Sequence, residues 1–420
     1  MVVPLIIGMT ACGDDTFHSG ADATATPPSA PATSVSAPTP PTYDPPIEFA
    51  PQPIRLGEPW EGRYTVHDAV AYFFTKSLLS AGFPRLTAVE LATGKARWTT
   101  SVDTGVDEST WKMLSKDSWM APAIGQVGDQ VWVFVAFPAI AVGIGTKADR
   151  ELARVVALDA SDGTTQWTVD FEVAEVWEEA SSWGHPQTVG VTEDTLVVSL
   201  GAAGFSRQPP VTVGLDVATG AERWRKSDFW GRLVNDGTVI GMVREGSLLR
   251  GHWSLEGRAV ADGTRLWRRD DLYGSDFFYE LGDGLVAYLA NKNGTGLTTW
   301  IVSTKTGEPV ASIDRSHNCI DDRQSVVICE GKKHLVAFDR DTGELLWELV
   351  EGDNGRAVPE VVAARSGVIY AEGPRSMVLL DARTGEDIVD DLASFPGGQV
   401  VPGFALVKDG GVLYAYPATG

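Results

Sequence analysis

The sequence feature that most constrains the fold is a hairpin motif that recurs along the chain. In its clearest copy an aliphatic run (155–158) ends at Asp159, Gly163 supplies the turn, and Trp167 anchors the returning strand. The turn needs glycine because it requires a positive φ, which is unfavourable for residues with a Cβ. The turn glycine, always preceded by Thr or Asp, occurs seven times, at Gly94, Gly163, Gly220, Gly263, Gly307, Gly343 and Gly385.

A tryptophan four residues after the turn glycine is also part of the repeat. Ala311 and Val389 replace it in two copies. A rigid aromatic side chain at one position of a repeat predicts that each copy packs on its neighbour in the same way. The five tryptophans are Trp98, Trp167, Trp224, Trp267 and Trp347.

The spacing of the motif indicates the size of the repeating unit. Four of the six intervals between successive turn glycines lie between 36 and 44 residues, close to the roughly 40–45 residues of one propeller blade. A second pair of strands precedes each hairpin, as in 124–127 and 131–135 around Gly128. No long stretch has helical periodicity. The sequence therefore predicts an all-β fold, a β-propeller of four-stranded antiparallel blades.

The number of blades follows from the strand pairs that carry the motif. Seven segments each contain one blade: 64–98, 120–167, 187–224, 232–267, 277–311, 317–347 and 358–389. Residues 400–406 and 411–416 form a further strand pair that has no turn motif after it. Because propellers commonly close by pairing terminal segments in one blade, we expect 47–56 to supply the missing strand. Eight blades are therefore favoured over seven.

The repeat Val-Val-Ala-Leu-Asp-Ala-x-x-Gly-x-x-x-Trp at 155–167 resembles that of the pyrroloquinoline-quinone-like β-propellers. This family includes quinoprotein alcohol dehydrogenases and the propeller lipoprotein of the bacterial outer-membrane β-barrel assembly machinery. The resemblance covers about residues 60–420 and implies the fold, while the same fold hosts both enzymes and scaffolds. Quinoprotein dehydrogenases of this family carry a disulfide between adjacent cysteines and a bound calcium. Since this chain has no adjacent cysteines, we expect no pyrroloquinoline quinone cofactor and no metal.

The charge of the chain limits its partners. Asp and Glu number 56 against 34 Lys and Arg, which gives a net charge of −22. Such a surface argues against non-specific binding to nucleic acid or to an anionic membrane surface through bulk charge.

The N-terminal residues 1–12 resemble the end of a lipoprotein signal peptide. Thr10 and Ala11 precede Cys12 as the small residues of a bacterial lipobox do, and acylation of Cys12 would anchor the protein to a membrane outside the cytoplasm. Met9 stands where leucine is usual, and no basic region precedes the short apolar run, so we expect the true start to lie upstream of Met1. The alternative is a short buried strand with a reduced cysteine.

Residues 13–50 are rich in Ala, Pro, Thr and Ser and contain almost no large apolar side chains. Such a segment cannot bury enough surface to offset its ordering entropy. The sequence therefore predicts a disordered linker that tethers the propeller, which begins at residue 51.

The two remaining cysteines are Cys319 and Cys329. If a hairpin turns around Gln324, they oppose each other on adjacent antiparallel strands, a spacing that suits a disulfide in an extracytoplasmic protein. Two buried thiols are the alternative. A zinc site that adds His317 or His334 lacks enough ligands.

Insertions into the repeat are the regions in which function is expected, since loops carry it more often than strands do. They lie at 99–119, 137–152 and 168–185, and the connections involved emerge on one face of a propeller. They carry aromatic and acidic side chains that we predict form a partner-binding surface, with packing of the tryptophans as the alternative. These residues are Trp111, Trp119, Trp177, Trp183, His185, Glu175, Glu178 and Glu179.

Two classes of function remain open. The first is a tethered, non-enzymatic propeller that binds a protein or polymer of the envelope. The second is a quinone-dependent or other oxidoreductase with an unrecognised site. The missing adjacent cysteines favour the first, and no motif for a nucleophile elbow, a zinc protease or a phosphate loop is present.

Overall fold

The computed structural model describes residues 43–59, 63–75, 85–102, 111–112, 121–143, 145–172, 186–200, 210–245, 252–282, 284–292, 297–314, 317–352, 355–392 and 397–420. Within these ranges the chain forms β-strands and no α-helix. The strands make eight four-stranded antiparallel blades, so the predicted all-β propeller is confirmed and the blade number is eight rather than seven. Across the same ranges, no helix has the length and apolar character needed to cross a membrane.

The first four blades follow one another along the chain, each running from its first to its fourth strand. Blade 1 contains β2 (Thr65–His67), β3 (Val70–Thr75), β4 (Arg85–Glu90) and β5 (Ala96–Ser101). Blade 2 contains β7 (Ala123–Val127), β8 (Gln130–Ala141), β9 (Arg150–Asp159) and β10 (Thr165–Glu172), with the short β6 (Trp111–Lys112) added to β8. Blade 3 contains β11 (Gln187–Val191), β12 (Thr195–Ser199), β13 (Val211–Asp216) and β14 (Glu222–Ser227). Blade 4 contains β15 (Phe229–Asn235), β16 (Thr238–Glu245), β17 (His252–Ala259) and the first part of β18 (Arg265–Glu280).

The other four blades complete the ring. Blade 5 contains the last part of β18, then β19 (Leu285–Lys292), β20 (Leu297–Ser303) and β21 (Pro309–Asp314). Blade 6 contains β22 (Asn318–Asp321), β23 (Val326–Gly331), β24 (His334–Asp339) and β25 (Leu345–Val350). Blade 7 contains β26 (Glu360–Arg365), β27 (Val368–Glu372), β28 (Met377–Asp381) and β29 (Asp387–Leu392). Blade 8 contains β30 (Gln399–Val401), β31 (Phe404–Asp409), β32 (Val412–Pro417) and, as its fourth strand, β1 (Ile54–Gly57).

Strand β1 closes the ring. It pairs antiparallel with β32, with Ile54 opposite Ala415, as the expected terminal pairing requires. The ordered chain begins before this strand, because the Ala50 N–H donates to the Pro417 carbonyl (2.8 Å) and Phe49 is buried. Residues 43–50, which the sequence assigned to the linker, therefore dock on the propeller. Composition alone missed this docking because much of it uses main-chain groups.

Two connections depart from the repeat. β18 runs without interruption through blades 4 and 5, so these two blades share one seven-stranded sheet. In blade 2, the predicted insertion at 137–152 is largely an extension of β8 and β9, and only 142–149 lie outside strands. The extension forms because Phe137, Ala139 and Leu152 continue the buried apolar pattern of the two strands.

The interfaces between blades are apolar, and eight buried clusters lie between successive blades. At five of them the repeat tryptophan donates its indole N–H to a carbonyl of the next blade, three residues before that blade's turn glycine. The bonds are 2.7–2.9 Å long and join Trp98 to Ala160, Trp167 to Val217, Trp224 to Val260, Trp267 to Thr304 and Trp347 to Ala382. The predicted repetition of one packing mode is confirmed.

The turn glycine belongs to the same interface. Gly220 has φ +72°, and a Cβ there would lie 2.8 Å from the Cε3 atom of Trp167 in the preceding blade. Both the backbone conformation and the neighbouring indole therefore select glycine.

Candidate functional site

The central channel contains a cavity on the side of blades 5 to 8. First strands of successive blades contact each other, as β22 does with β26 and β26 with β30, and so form the channel wall. A cavity of about 580 Å³ lies against the first strands of blades 5 to 8, within the size range of small-molecule and peptide pockets. Its polar lining consists of Glu280, Asp321, Arg323, Arg365 and Gln399, and its apolar lining includes Ile320, Val362, Val400 and Val401.

The charged residues of blade 6 are positioned by the turn between β22 and β23. Asp322 accepts the main-chain N–H groups of residues 324–326 at 2.8–2.9 Å, an arrangement typical of Asp at a tight turn. The two residues that flank Asp322 in the sequence, Asp321 and Arg323, are thereby held close together. Arg323 Nε lies 3.4 Å from Asp321 Oδ1. Burial raises the pKa of Asp321, and the nearby Arg323 guanidinium opposes that shift.

Arg365 is the charged residue of blade 7, and it is already paired. Its Nε and Nη2 atoms donate to the two carboxylate oxygens of Asp44 at 2.6 and 2.8 Å. The pKa of Asp44 is lowered chiefly by this hydrogen bond, against the opposing effect of burial. The segment before β1 therefore reaches the end of the channel wall.

The charge of the cavity wall bears on pyrroloquinoline quinone, the cofactor associated with this kind of repeat. That quinone is a tricarboxylate, and burying it requires compensating positive charge from the wall or from a bound metal ion. The described wall offers two guanidinium groups against the carboxyl groups of Glu280 and Asp321, and Arg365 already pairs with Asp44. The mixed lining suits a polar ligand with an apolar part, such as a peptide.

A second, smaller cavity of about 290 Å³ lies between the turns of blades 1 and 2. Its polar lining includes His67, Arg97 and three aspartates, and His67 Nε2 lies 3.2 Å from Asp68 Oδ2. Arg97 pairs with Glu90, and Asp159 accepts from the Ser161 hydroxyl, so these groups are engaged in local turn contacts.

The predicted insertion surface lies mostly outside the described residues. Trp111 is placed, in β6, where it pairs with Ala141 at the far end of β8. This pairing places residues 111–112 of the first insertion beside residues 140–141 of the second, at the end of the ring that carries the loops between second and third strands. We call this end the loop face, and the opposite end, with turns such as 366–367, the turn face. Outside the described residues lie Cys12, Trp119, Trp177, Trp183, His185, Glu175, Glu178 and Glu179.

Cys319 and Cys329 form the predicted disulfide between directly opposed positions of β22 and β23. The two histidines considered as zinc ligands lie near each other, with His317 Nε2 3.2 Å from His334 Nδ1, and His334 also contacts Glu348. Among the residues that the structure describes, no three His, Cys, Asp or Glu side chains are placed to hold a metal ion.

Sequence reasoning missed the channel residues. First strands carry no repeated side chain, so repeat analysis does not select them. The available signal was position, because Glu280 and Arg365 each lie two residues before a glycine in the turn that follows a first strand, Gly282 and Gly367.

Comparison with known proteins places the chain in a family. The family model described as outer membrane protein assembly factor BamB matches residues 55–170 and 151–420, whereas no curated protein matches. The crystal structure of BamB from Moraxella catarrhalis is 15% identical, with a TM-score of 0.48 and coverage of 88% of this chain and 97% of that one. The quinohemoprotein alcohol dehydrogenase from Comamonas testosteroni is 12% identical, with a TM-score of 0.47 and coverage of 89% and 76%. Identities this low do not transfer an activity. Since the family model spans nearly the whole propeller, the chain belongs to the pyrroloquinoline-quinone-like propeller family of outer membrane protein assembly factor BamB.

Proposed function

We propose that this protein is an extracytoplasmic, lipid-anchored propeller that acts as a non-enzymatic binding or scaffold protein of the bacterial envelope. The observation that carries the proposal is the family match, whose description is an assembly factor of the outer membrane. The rigid ring of eight blades, stabilised by repeated indole contacts, supports a role in presenting loops to a protein or polymer.

The anchor in this proposal is Cys12, supported by the small residues before it and the Pro-rich tract after it. Expressed from its full-length start, the Cys12→Ala variant should move from the membrane fraction to the soluble fraction. Ser19→Ala, a second substitution within the N-terminal tract, is the matched control and should remain with the membrane. Retention of Cys12→Ala in the membrane fraction would contradict the anchor.

The proposed partner surface is the loop face, with Trp111, Trp119, Trp177, Trp183, His185, Glu178 and Glu179. Its support is the pairing of β6 with β8, which joins two of the insertions. Aromatic anchors within a polar rim are typical of interface hot spots, where one Trp can contribute about 2 kcal/mol or more.

Affinity capture from the native envelope with mass spectrometry identifies the partner and tests this surface. Trp119→Ala with Trp183→Ala should reduce the recovery of that partner while the melting temperature stays within a few degrees of wild type. The matched control is Leu266→Ala, which truncates an exposed apolar side chain on an outer strand. Unfolding of the double variant would assign the tryptophans to packing, and unchanged capture would place the surface elsewhere.

The second candidate is a quinone-dependent oxidoreductase, and the charge balance of the channel argues against it. Titration of the full chain with pyrroloquinoline quinone and calcium, followed by gel filtration, should leave the quinone in the small-molecule fraction. Co-elution of one quinone per chain would favour the oxidoreductase instead.

A further inference from the structure

We propose that Arg365, Ser366 and Tyr370 on the turn face form a binding site for an extended peptide that carries a carboxylate, and that residues 43–46 occupy this site as an intrachain ligand. The site lies at the channel, apart from the loop face. The inference depends on neither the lipid anchor nor the tryptophan surface.

The carboxylate part of the site is formed by the end of β26 and the turn after it. Arg365 binds both oxygens of Asp44 in a bidentate pair, and the Ser366 hydroxyl donates to one of them at 3.0 Å. Bidentate pairs of this kind give strength and directional specificity to carboxylate recognition. The Arg365 side chain is 18% exposed, so its charge is partly shielded from water.

The second part of the site contacts main-chain carbonyls of the bound segment and none of its side chains. The Tyr370 hydroxyl donates to the Pro46 carbonyl at 2.6 Å, and the Gly403 N–H donates to the Tyr43 carbonyl at 2.9 Å. Burial raises the pKa of Tyr370, so the phenol keeps its proton and remains a donor. Hydrogen bonds to carbonyls combined with one side-chain pocket are a common mode of recognition for extended peptides.

The site opens onto the channel cavity, because Arg365 lines that cavity as well as binding Asp44. A peptide whose carboxylate replaced Asp44 would meet the apolar wall formed by Val362 and Val400. The carboxyl groups of Glu280 and Asp321 farther along the wall disfavour a second acidic side chain. The ligand class is therefore a segment with one carboxylate flanked by apolar or proline residues.

The intrachain ligand competes with any partner. Residues 43–46 are connected to β1 through the short stretch 47–53, which holds them at an effective concentration of about millimolar. A partner peptide must exceed this local competition. The wild-type chain is therefore expected to bind such a peptide weakly, and a chain without Asp44 to bind it well.

The test is a fluorescence anisotropy titration with a labelled synthetic peptide of residues 41–47, Pro-Thr-Tyr-Asp-Pro-Pro-Ile. Asp44→Ala in the full chain should bind this peptide about threefold to fivefold more tightly than wild type. Adding Arg365→Gln to that variant should reverse the gain. Arg356→Gln is the matched control, because Arg356 pairs with Asp387 and not with Asp44. It should leave the affinity within about twofold of the Asp44→Ala variant.

Three results would overturn the proposal. One is a folded Asp44→Ala variant that does not bind the peptide. Another is unchanged binding of the peptide when Arg365→Gln is added to the Asp44→Ala variant, or unchanged binding of a peptide in which Asn replaces Asp. The third is competition by free succinate at the same concentration as the peptide, which would assign the site to small carboxylates.

A second measurement covers the case in which Asp44→Ala does not fold. Excess peptide added to the wild-type chain should raise deuterium uptake at residues 47–48, whose N–H groups donate to the Gly420 carbonyl, because displacement of residues 43–46 frees the adjoining segment. Unchanged uptake at saturating peptide would also overturn the proposal.

Discussion

The interfaces between blades fall into two groups, and their difference shows what holds this ring together. Five interfaces use the repeat tryptophan, which donates to a carbonyl of the next blade and packs against that blade's turn glycine. The other three lack it. Each of these three contains a feature from outside the repeat, either the disulfide or the N-terminal segment. A missing tryptophan therefore coincides with another stabilising contact.

The interface of blades 5 and 6 contains the disulfide. Ala311 stands at the tryptophan position, and Val310 lies against Gly343 in place of an indole ring. The buried cluster between these blades includes Cys319 and Cys329. Covalent cross-linking of β22 and β23 thus lies at an interface that lacks the repeat tryptophan.

The two interfaces of blade 8 contain the N-terminal segment. Phe49 lies in the cluster between blades 7 and 8, where Val389 stands at the tryptophan position, and Leu56 of β1 lies in the cluster between blades 8 and 1. Repeat side chains therefore join most of the ring, and a segment from outside the repeats joins its ends.

The largest effect is expected from removing an indole at a tryptophan interface. Trp224→Ala should lower the free energy of unfolding by about 3–5 kcal/mol, because it leaves a cavity and an unpaired Val260 carbonyl. Trp224→Phe keeps much of the apolar contact and is expected to cost less. Chemical denaturation measures both, and a loss below about 1 kcal/mol for the alanine variant would refute the distinction between the two groups.

A turn glycine sharpens the comparison. Gly220→Ala should cost roughly 2–4 kcal/mol, since it adds a clash with Trp167 to the strain of a positive φ. Gly237→Ala is the matched control, because its φ of +69° is similar and a Cβ there meets open space. It should cost about 1 kcal/mol. Equal losses for the two variants in thermal unfolding would show that the indole contact tolerates a methyl group.

Removal of the disulfide tests its contribution to the interface of blades 5 and 6, which lacks the repeat tryptophan. Cys319→Ala with Cys329→Ala should lower the free energy of unfolding by about 2–3 kcal/mol, because closing a short loop restricts the unfolded chain. Chemical denaturation under oxidising conditions gives the difference from wild type. Reducing agent should destabilise wild type and leave the double variant unchanged. Equal stability of wild type with and without reducing agent would contradict a stabilising role for the disulfide.

The smallest effect is expected where the N-terminal segment contacts blade 7. Asp44→Asn should cost less than about 1 kcal/mol at neutral pH, because the pair with Arg365 is partly exposed. The pKa of Asp44 is lowered in the folded state, so its stabilisation is complete above the ordinary value of 3.8 and is lost as the pH falls through the folded-state value. Urea denaturation of both chains should show a difference that shrinks between pH 7 and pH 3. A difference that grows on acidification would contradict the sign.

Repetition explains which parts of the fold the sequence predicted. The seven turn glycines, the five indole contacts and the closing strand follow from patterns that recur or from the need to complete a blade. The shared strand β18 was missed because residues 268–277 carry no motif. The channel charges Glu280 and Arg365 were missed because the wall of a ring joins first strands that are far apart in sequence.

Ring closure by β1 and β32 has a consequence for the order of folding. Gly57 pairs with Leu413, and closing a loop of that length in an unstructured chain costs on the order of 5 kcal/mol in entropy, against roughly 1 kcal/mol for a hairpin. Folding of the intervening blades removes most of this cost, because each blade forms from neighbouring residues and their packing brings the two strands together. Blade 8 is therefore expected to form last and to open first. Unfolding of the propeller would then begin where β1 pairs with β32.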